Sequence, residues 1–308
     1  MDKIIMIDQE SSIIFSRGLI ANSLLKTGIS FLEAHKIAEE IKTDLHKMNI
    51  QEISRQEIDK KVYKILVDTK ATQFAENFLV FKKIIELEQP VIILISGTAG
   101  IGKSTIALML AHRLNIQSMI GTDSIREILR KVLSIELIPE LHQSSYEAGK
   151  LMKHYRSTRF NATILGYVEQ AKIVTVGVEA LIERALYEGQ NMIIDGVHLS
   201  PEFLSSEIIN HPNIVFVMLN LSNEMEHKNR FSLRAHNVSM RSPVEKYYDN
   251  FEQIRMIQDY LKEQAKIMGV QIVENNHRND TVKKLTEIVT TRIKKIIESK
   301  NKSVFIKS

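Results

Sequence analysis

The chain has 308 residues, of which 44% are hydrophobic and 25% are charged, so it can bury a sizeable core in one large domain or two smaller ones. The formal net charge of +4 is small for this length and indicates no nucleic-acid partner. Cysteine is absent, which excludes disulfides and thiolate metal sites. The sequence has neither a signal-peptide pattern nor an apolar run of membrane-spanning length, so we expect a cytoplasmic protein without membrane contact.

Residues 1–88 have a largely helical pattern after a short apolar run at 3–7 that predicts a strand. Capping boxes at Ser30–Glu33 and Ser54–Glu57 predict two helix starts. The first helix would bury one apolar face, made of Phe31, Ala34, Ile37, Ala38, Ile41 and Leu45. A third helix would carry Phe74, Phe78, Phe81 and Ile85. Pro90 follows that helix, so we predict a mostly helical domain at 1–88 and a second domain at 89–308.

From residue 89 onward, apolar runs alternate with helical patterns, which predicts an α/β fold with a mostly parallel sheet covered by helices on both faces. The predicted strands are 91–95, 116–121, 191–195, 214–219 and 271–274. The predicted helices are 104–114, 123–134, 162–188, 243–268 and 281–298. A capping box at Ser242–Glu245, with proline at the first helical position, opens the fourth of these helices.

The stretch from Gly97 to Ser104 fits the phosphate-binding P-loop pattern G-x-x-x-x-G-K-[ST] at every fixed position. It lies between a predicted strand and a predicted helix, which is the order that a P-loop requires. Backbone N–H groups of such a loop hold phosphate oxygens, the lysine reaches the β- and γ-phosphates, and the hydroxyl ligates Mg²⁺. We therefore predict a nucleotide site formed by Gly97, Thr98, Ala99, Gly100, Ile101, Gly102, Lys103, Ser104 and Thr105, with Lys103 catalytic.

Two aspartates follow apolar runs of the predicted sheet. Asp195 ends the run at 191–195, where an acidic residue would join Ser104 in holding the metal. A turn aspartate or a substrate contact are the alternatives for this residue. Asp123 follows the run at 116–121, at the sheet edge where open α/β folds bind ligands. We predict that Asp123 orients or deprotonates an acceptor hydroxyl.

Helical spacing places Asp123, Arg126 and Arg130 on one stripe of the helix predicted at 123–134. One acid and two guanidinium groups suit an acceptor alcohol that carries a phosphate or a carboxylate. An N-cap aspartate with two solvated arginines is the alternative. The opposite, buried stripe would consist of Ile125, Ile128, Leu129, Val132 and Leu133.

Arg230 and Arg234 are spaced i, i+4 in a helical segment after the strand at 214–219. We predict that they belong to a helical lid and act on the transferring phosphoryl group as catalytic residues. A solvated basic face is the alternative.

The chain resembles the archaeal 2-phosphoglycerate kinases over nearly its whole length. The resemblance rests on the P-loop and on the segments 121–127, 141–148, 166–171, 194–198 and 227–231. It implies transfer of a phosphoryl group from ATP, with Mg²⁺, to the 3-hydroxyl of 2-phosphoglycerate, giving 2,3-bisphosphoglycerate for a cyclic 2,3-diphosphoglycerate pool. On this resemblance we assign substrate binding to His142, Tyr146, Gln170 and His198. For the two histidines a structural or surface role is the alternative, because neither has metal-ligand spacing with another histidine. The family commonly has a glutamate where this chain has Asp195.

Residues 1–88 resemble an ATP-cone, a small nucleotide-sensing module, through Phe15–Arg17 and the two capped helices. The basic pair usual in that module is replaced by Met6–Ser11, so a purely structural role stays open beside nucleotide sensing. Other interpretations of the whole chain are a kinase for another hydroxylated acceptor or for aminoacyl-tRNA, and a non-catalytic ATP-dependent regulator. The low net charge disfavours tRNA, and the absence of an Asn-Lys-x-Asp motif disfavours a GTPase.

Overall fold

The computed structural model describes residues 4–8, 11–25, 27, 29–69, 72–87, 89–151, 161–237 and 244–307. The chain divides into two compact units, Met1–Glu88 with His112–Asn115, and Gln89–Ala111 with Ile116–Ser308. Within the described ranges, no helix is both long enough and apolar enough to cross a bilayer.

The first unit combines a small sheet with helices. Its elements are β1 (Ile5–Asp8), β2 (Ser11–Ile14), α1 (Arg17–Leu25), α2 (Phe31–Lys47), β3 (Glu52–Ser54), α3 (Arg55–Asp68) and α4 (Thr72–Glu86). The strand order is β2-β1-β3, with β1 antiparallel to β2 and parallel to β3. The sequence predicted β1 approximately and the three longer helices, but it did not predict α1, β2 or β3.

Both predicted helix starts of this unit have a serine N-cap, and the reciprocal capping box is present at Ser54. The Ser54 hydroxyl accepts a hydrogen bond from the Glu57 amide at 3.2 Å, and the Glu57 carboxylate accepts one from the Ser54 amide at 3.0 Å. At Ser30 the hydroxyl accepts from the amide three residues later. The prediction that Phe31 is buried is wrong, because it stands at the first position of α2 and is 63% exposed. The side chains of Phe81 and Ile85 lie outside the described residues.

The second unit is an α/β fold. Its strands are β4 (Ile92–Ser96), β5 (Ser118–Gly121), β6 (Met192–Gly196), β7 (Ile214–Asn220) and β8 (Gln271–Glu274). Its helices are α5 (Lys103–Leu114), α6 (Thr122–Val132), α7 (Ala162–Tyr187), α8 (Ser206–Asn210), α9 (Glu224–Asn237), α10 (Val244–Asp249), α11 (Phe251–Ile267) and α12 (Arg278–Lys307). The strand order is β5-β6-β4-β7-β8, and every neighbouring pair is parallel.

The central strand β4 is buried along its whole length, as is its neighbour β6. Ile92 and Leu94 belong to one core cluster with residues of α7. Ile93 and Ile95 point to the opposite face, because strand side chains alternate, and they are equally buried. Burial on both faces is what a parallel sheet with helices on each side requires, so the predicted fold class is confirmed.

Three predicted helices differ from the observed ones. The last of them, predicted at 281–298, begins at Arg278 and continues to Lys307 as α12. The helix predicted at 243–268 is divided at Asn250 into α10 and α11, and its capping residues Ser242 and Pro243 lie outside the described residues. The buried stripe predicted for α6 is partly wrong, because Ile128 is 65% exposed and Val132 is exposed as well. The core takes the i, i+4, i+8 row of Ile125, Leu129 and Leu133 instead. This row lies closer to Arg126 around the helix than the predicted stripe does. The Arg126 side chain is therefore largely buried.

Candidate active site

The P-loop connects β4 to α5 and has the conformation that its glycines permit. Gly97, Gly100 and Gly102 have φ values of 143°, 82° and 90°, a range that side chains disfavour. A Cβ atom at Gly100 would also overlap the ring of Phe231. The ammonium group of Lys103 lies across the loop and donates to the Thr98 carbonyl at 2.8 Å. The loop therefore has positive φ values at its three glycines and holds its lysine against its own backbone, as a phosphate-binding nest would require.

Ser104, in the first turn of α5, contacts Asp195 near the carboxyl end of β6. The Ser104 hydroxyl donates to Oδ2 of Asp195 at 2.8 Å, and Asp195 is 4% exposed. Burial raises the pKa of the Asp195 carboxyl, an effect that the charge of Lys103 and the Ser104 hydrogen bond oppose. These oxygens suit Mg²⁺, which takes one or two carboxylates together with substrate phosphates. Among the described residues, no group of three or more His, Cys, Asp or Glu side chains could hold a metal ion.

Asp123 and Arg126 lie on the first turns of α6, at the same edge of the sheet. Gly121 occupies the N-cap position, so Asp123 is not the capping residue, and its side chain is 79% exposed. Nε of Arg126 lies 3.6 Å from the Asp123 carboxylate and has no hydrogen-bond partner among the described residues, although it is buried. The other end of the guanidinium donates to the Gln143 carbonyl. Arg126 is thus anchored at one end and retains donor capacity for an anionic group.

Arg130 and His142 have protein partners that account for their positions. Arg130 pairs with the Glu127 carboxylate at 2.8 Å, three residues earlier on the exposed side of α6. This contact supports the alternative of a solvated arginine. The Nε2 atom of His142 lies 3.0 Å from the Leu133 carbonyl, where it ties the following loop to the end of α6. That nitrogen is therefore occupied by the backbone and is not directed at a ligand.

Buried side chains form a polar relay behind Asp123 and Arg126. Gln170 donates through Nε2 to the Gln143 carbonyl at 3.0 Å, so its amide oxygen is the atom 2.9 Å from Nε2 of His198. His198 must carry its proton on Nε2, and its Nδ1 accepts from the Thr122 hydroxyl at 2.8 Å. Burial lowers the pKa of His198 to about 4, which keeps the ring neutral near pH 7. The substrate contact predicted for His198 and Gln170 does not fit, because both are fully buried and bonded to protein groups.

Tyr146 belongs to a buried aromatic cluster. Its ring lies 6.0 Å from that of Tyr247, which in turn stacks on Phe231 at 4.7 Å. Burial raises the pKa of the Tyr146 phenol to about 12, although the Ser144 hydrogen bond and the charge of Arg126 oppose this rise. The phenol group is consequently neutral near pH 7.

Arg230 does not face the open side of the P-loop. Its guanidinium donates to the Glu226 carboxylate and to the backbone carbonyls of Ile101, Asn275 and Asn276, at 2.7 to 3.2 Å. A lid role on the transferring phosphoryl group would require these bonds to be exchanged. Arg234 lies on the same helix, α9, and its side chain is outside the described residues.

A cavity of about 510 Å³ opens beside Arg230, between α9 and residues 276–280, which lead into the first turn of α12. It is lined by Glu226, Arg230, Leu233, Asn276, His277, Arg278, Asn279 and Asp280. In the sequence this segment is distinguished only as a polar stretch, and nothing in that pattern indicates a cavity. Thr122, Gln143, His227 and Asn275 were likewise not singled out, because their roles depend on partners far away in the chain.

Comparison with known proteins places the chain among curated relatives of nearly equal length. It is 42% identical over 284 residues to the 2-phosphoglycerate kinase of Methanocaldococcus jannaschii, covering 92% of this chain and 90% of the relative. It is 35% identical over 300 residues to that of Pyrococcus horikoshii, covering 97% of each. A solved shikimate kinase from Bacteroides thetaiotaomicron aligns with a TM-score of 0.39 and 19% identity, covering 65% of this chain and 98% of that one. No protein-family model matches the chain. From its identity to these relatives over nearly the full length, the chain belongs to the 2-phosphoglycerate kinase family.

Proposed function

We propose that this protein transfers the γ-phosphoryl group of ATP to the 3-hydroxyl of 2-phosphoglycerate, giving 2,3-bisphosphoglycerate and ADP. The observation that carries the proposal is the 2.8 Å contact between Ser104 of the P-loop and Asp195 of the neighbouring strand. This contact supports a metal–phosphate site at the sheet edge where Asp123 and Arg126 also lie. The choice of acceptor rests on the name of the relatives.

The polyphosphate chain of ATP would occupy the P-loop nest. Backbone N–H groups of the loop bind the phosphate oxygens, and Lys103 exchanges the Thr98 carbonyl for the β- and γ-phosphates. The cavity of about 510 Å³ would accommodate the adenine base, and its lining residue Arg230 also contacts the P-loop at the Ile101 carbonyl. Its polar lining offers hydrogen-bond groups to a purine.

Ser104 and Asp195 would hold Mg²⁺ between them and the nucleotide phosphates. The cation supplies positive charge that offsets the charge developing on the phosphoryl oxygens. Asp195 contributes a buried carboxylate whose charge is disfavoured by its surroundings, and Ser104 orients that carboxylate through their hydrogen bond.

On the acceptor side, Asp123 takes the proton from the 3-hydroxyl group. The hydroxyl oxygen forms a bond to the γ-phosphorus, and the bond from that phosphorus to the β,γ-bridging oxygen breaks, releasing ADP. Arg126 pairs with the phosphate or the carboxylate of 2-phosphoglycerate through guanidinium N–H groups that the Gln143 carbonyl does not occupy. The relay of Thr122, His198 and Gln170 fixes the start of α6 and the Gln143 carbonyl, and so positions both residues.

The test measures ADP release in separate reactions with 2-phosphoglycerate, 3-phosphoglycerate, glycerate and no acceptor. We expect turnover with 2-phosphoglycerate to exceed the other three strongly, and Lys103→Ala to lose on the order of 10³-fold in rate. Equal release in all reactions would contradict a specific kinase and would favour an ATP-dependent regulator. Faster turnover with 3-phosphoglycerate or glycerate would keep the kinase and change its acceptor.

For the N-terminal unit we propose an ATP-cone-like domain in which nucleotide binding has been lost. The segment that carries the basic pair in such modules contains no lysine or arginine between Met6 and Ser11. We expect the rate to depend hyperbolically on ATP concentration in the intact protein, with dATP acting only as a competing donor. Sigmoidal dependence, or inhibition by dATP at saturating ATP, would restore a sensing role.

A further inference from the structure

Two carbonyl groups of the P-loop are held from outside the loop by side chains of distant elements. The Nε2 atom of His227, on α9, lies 2.8 Å from the Ala99 carbonyl. The Ile101 carbonyl accepts from Arg230 at 2.8 Å and from Nδ2 of Asn275 at 2.6 Å. Since a carbonyl only accepts, all three side chains act as donors.

These bonds fix the direction of the next N–H group in each case. In a trans peptide unit the C=O and N–H bonds point to opposite sides, and no cis bond occurs in the described residues. Holding the Ala99 carbonyl outward therefore turns the Gly100 N–H inward, toward the nest. Holding the Ile101 carbonyl outward does the same for Gly102.

The donors are themselves immobilised. His227 and Asn275 are fully buried. The His227 ring lies 5.3 Å from the rings of both Phe231 and Phe251. Oδ1 of Asn275 accepts from the Thr281 hydroxyl at 2.9 Å, which leaves its amide nitrogen directed at the loop.

The chemistry of His227 indicates what its ring is for. Its Nδ1 is buried and has no hydrogen-bond partner among the described residues. The imidazole therefore makes a single hydrogen bond, the one to the Ala99 carbonyl. Packing between two phenylalanine rings does not call for a polar ring, because a buried polar atom without a partner costs stability. What the imidazole adds over an apolar ring is the Nε2–H group that donates to the Ala99 carbonyl.

We propose that His227, Arg230 and Asn275 form a carbonyl clamp that presets the P-loop for the polyphosphate chain of the nucleotide. These residues touch the loop backbone and are positioning residues. The clamp lowers the cost of ordering the loop when phosphate binds. It rests on the proposed nucleotide site and adds that part of the phosphate affinity comes from residues behind the loop.

The test compares His227→Phe, which keeps an aromatic ring but removes the donor, with His227→Gln, whose amide can replace Nε2. Binding of Mg-ATP, of Mg-tripolyphosphate and of 2-phosphoglycerate is measured by calorimetry on the intact protein. We expect His227→Phe to weaken both polyphosphate ligands about tenfold, the size expected for one well-placed hydrogen bond. His227→Gln should stay within about threefold of the parent, and 2-phosphoglycerate affinity should not change.

Asn275→Asp tests the other carbonyl, because it keeps the size and the bond from Thr281 but sets an oxygen against the Ile101 carbonyl. We expect a loss of at least about tenfold in polyphosphate affinity. Asn229→Asp, at an exposed residue beside Arg230, controls for the added negative charge.

The outcomes separate the clamp from the site it serves. Parent-like affinity for Mg-tripolyphosphate in folded His227→Phe and Asn275→Asp would overturn the clamp while leaving the nucleotide site intact. A proportional loss of 2-phosphoglycerate affinity would also overturn it, since the effect would then be a general one. A parent protein that bound neither Mg-ATP nor Mg-tripolyphosphate would overturn the proposed function itself.

Discussion

Replacing Asp195 by asparagine should separate activity from stability. The carboxylate is almost fully buried, and burial raises its pKa, so its charged form is disfavoured in the unligated fold. Asparagine removes that charge and can still accept from the Ser104 hydroxyl. A hydrogen bond to a charged acceptor contributes ~1.5–3 kcal/mol and one to a neutral acceptor ~1 kcal/mol, and the relief of desolvation offsets this difference. We expect the free energy of unfolding at pH 7 to change by less than ~1 kcal/mol.

Activity should respond very differently to the same change. The substitution removes the negative charge that Asp195 would present to Mg²⁺. Electrostatic contacts of this kind are worth ~10²–10³-fold in rate. The assays are urea unfolding of the unligated protein and initial rates across a Mg²⁺ titration, with Ser104→Ala as the matched change at the other metal-facing oxygen. An Asp195→Asn variant that unfolds several kcal/mol more easily but keeps its kcat would refute the metal role and make Asp195 a structural residue.

Three further results are expected. Asp123→Asn should lower kcat by ~10²–10⁴-fold with little change in the KM for ATP, and a change confined to the KM for ATP would assign Asp123 to the nucleotide or the metal instead. Arg126→Ala should raise the KM for the acceptor far more than that for ATP, whereas equal effects on both would indicate a structural role. Stability should fall as the pH drops from 6.5 to 4, because burial lowers the pKa of His198 and His227 from 6.5 to about 4 and the unfolded chain binds the protons first. Each histidine would contribute about 3 kcal/mol, and urea unfolding that is flat across this range would contradict their burial in neutral form.

The sequence predicted those parts of the molecule that depend on local pattern. The P-loop and the five strands of the second unit were found because a fixed motif and short apolar runs carry their own signal. Partners that meet only in the fold were not predicted. The i, i+4 spacing of Arg230 and Arg234 indicated a shared helix face, but it could not show that Arg230 binds loop carbonyls from behind.

The same limit applies to the relay and to the helix faces. His198 was assigned to substrate because of the segment around it, whereas its partners Thr122 and Gln170 lie 76 and 28 residues away in the chain. In α6 the apolar residues outnumber the positions that the core can cover, so Ile128 and Val132 could not be distinguished from Ile125 by hydropathy. The sequence pattern shows which residues share a helix face, but it does not show how much of that face the neighbouring elements cover.

The position of β4 in the sheet has a consequence for how the protein is made. Ile92 pairs with Met192 on one side and Ile214 on the other, which follow it by 100 and 122 residues. During synthesis, the central strand and the loop it carries cannot be enclosed until β7 has left the ribosome, whereas the N-terminal unit is complete long before. Long-range parallel pairing of this kind forms slowly and leaves apolar strands exposed in the meantime. Nascent chains in which β7 has not yet emerged from the ribosome should therefore be the species that depends on chaperones.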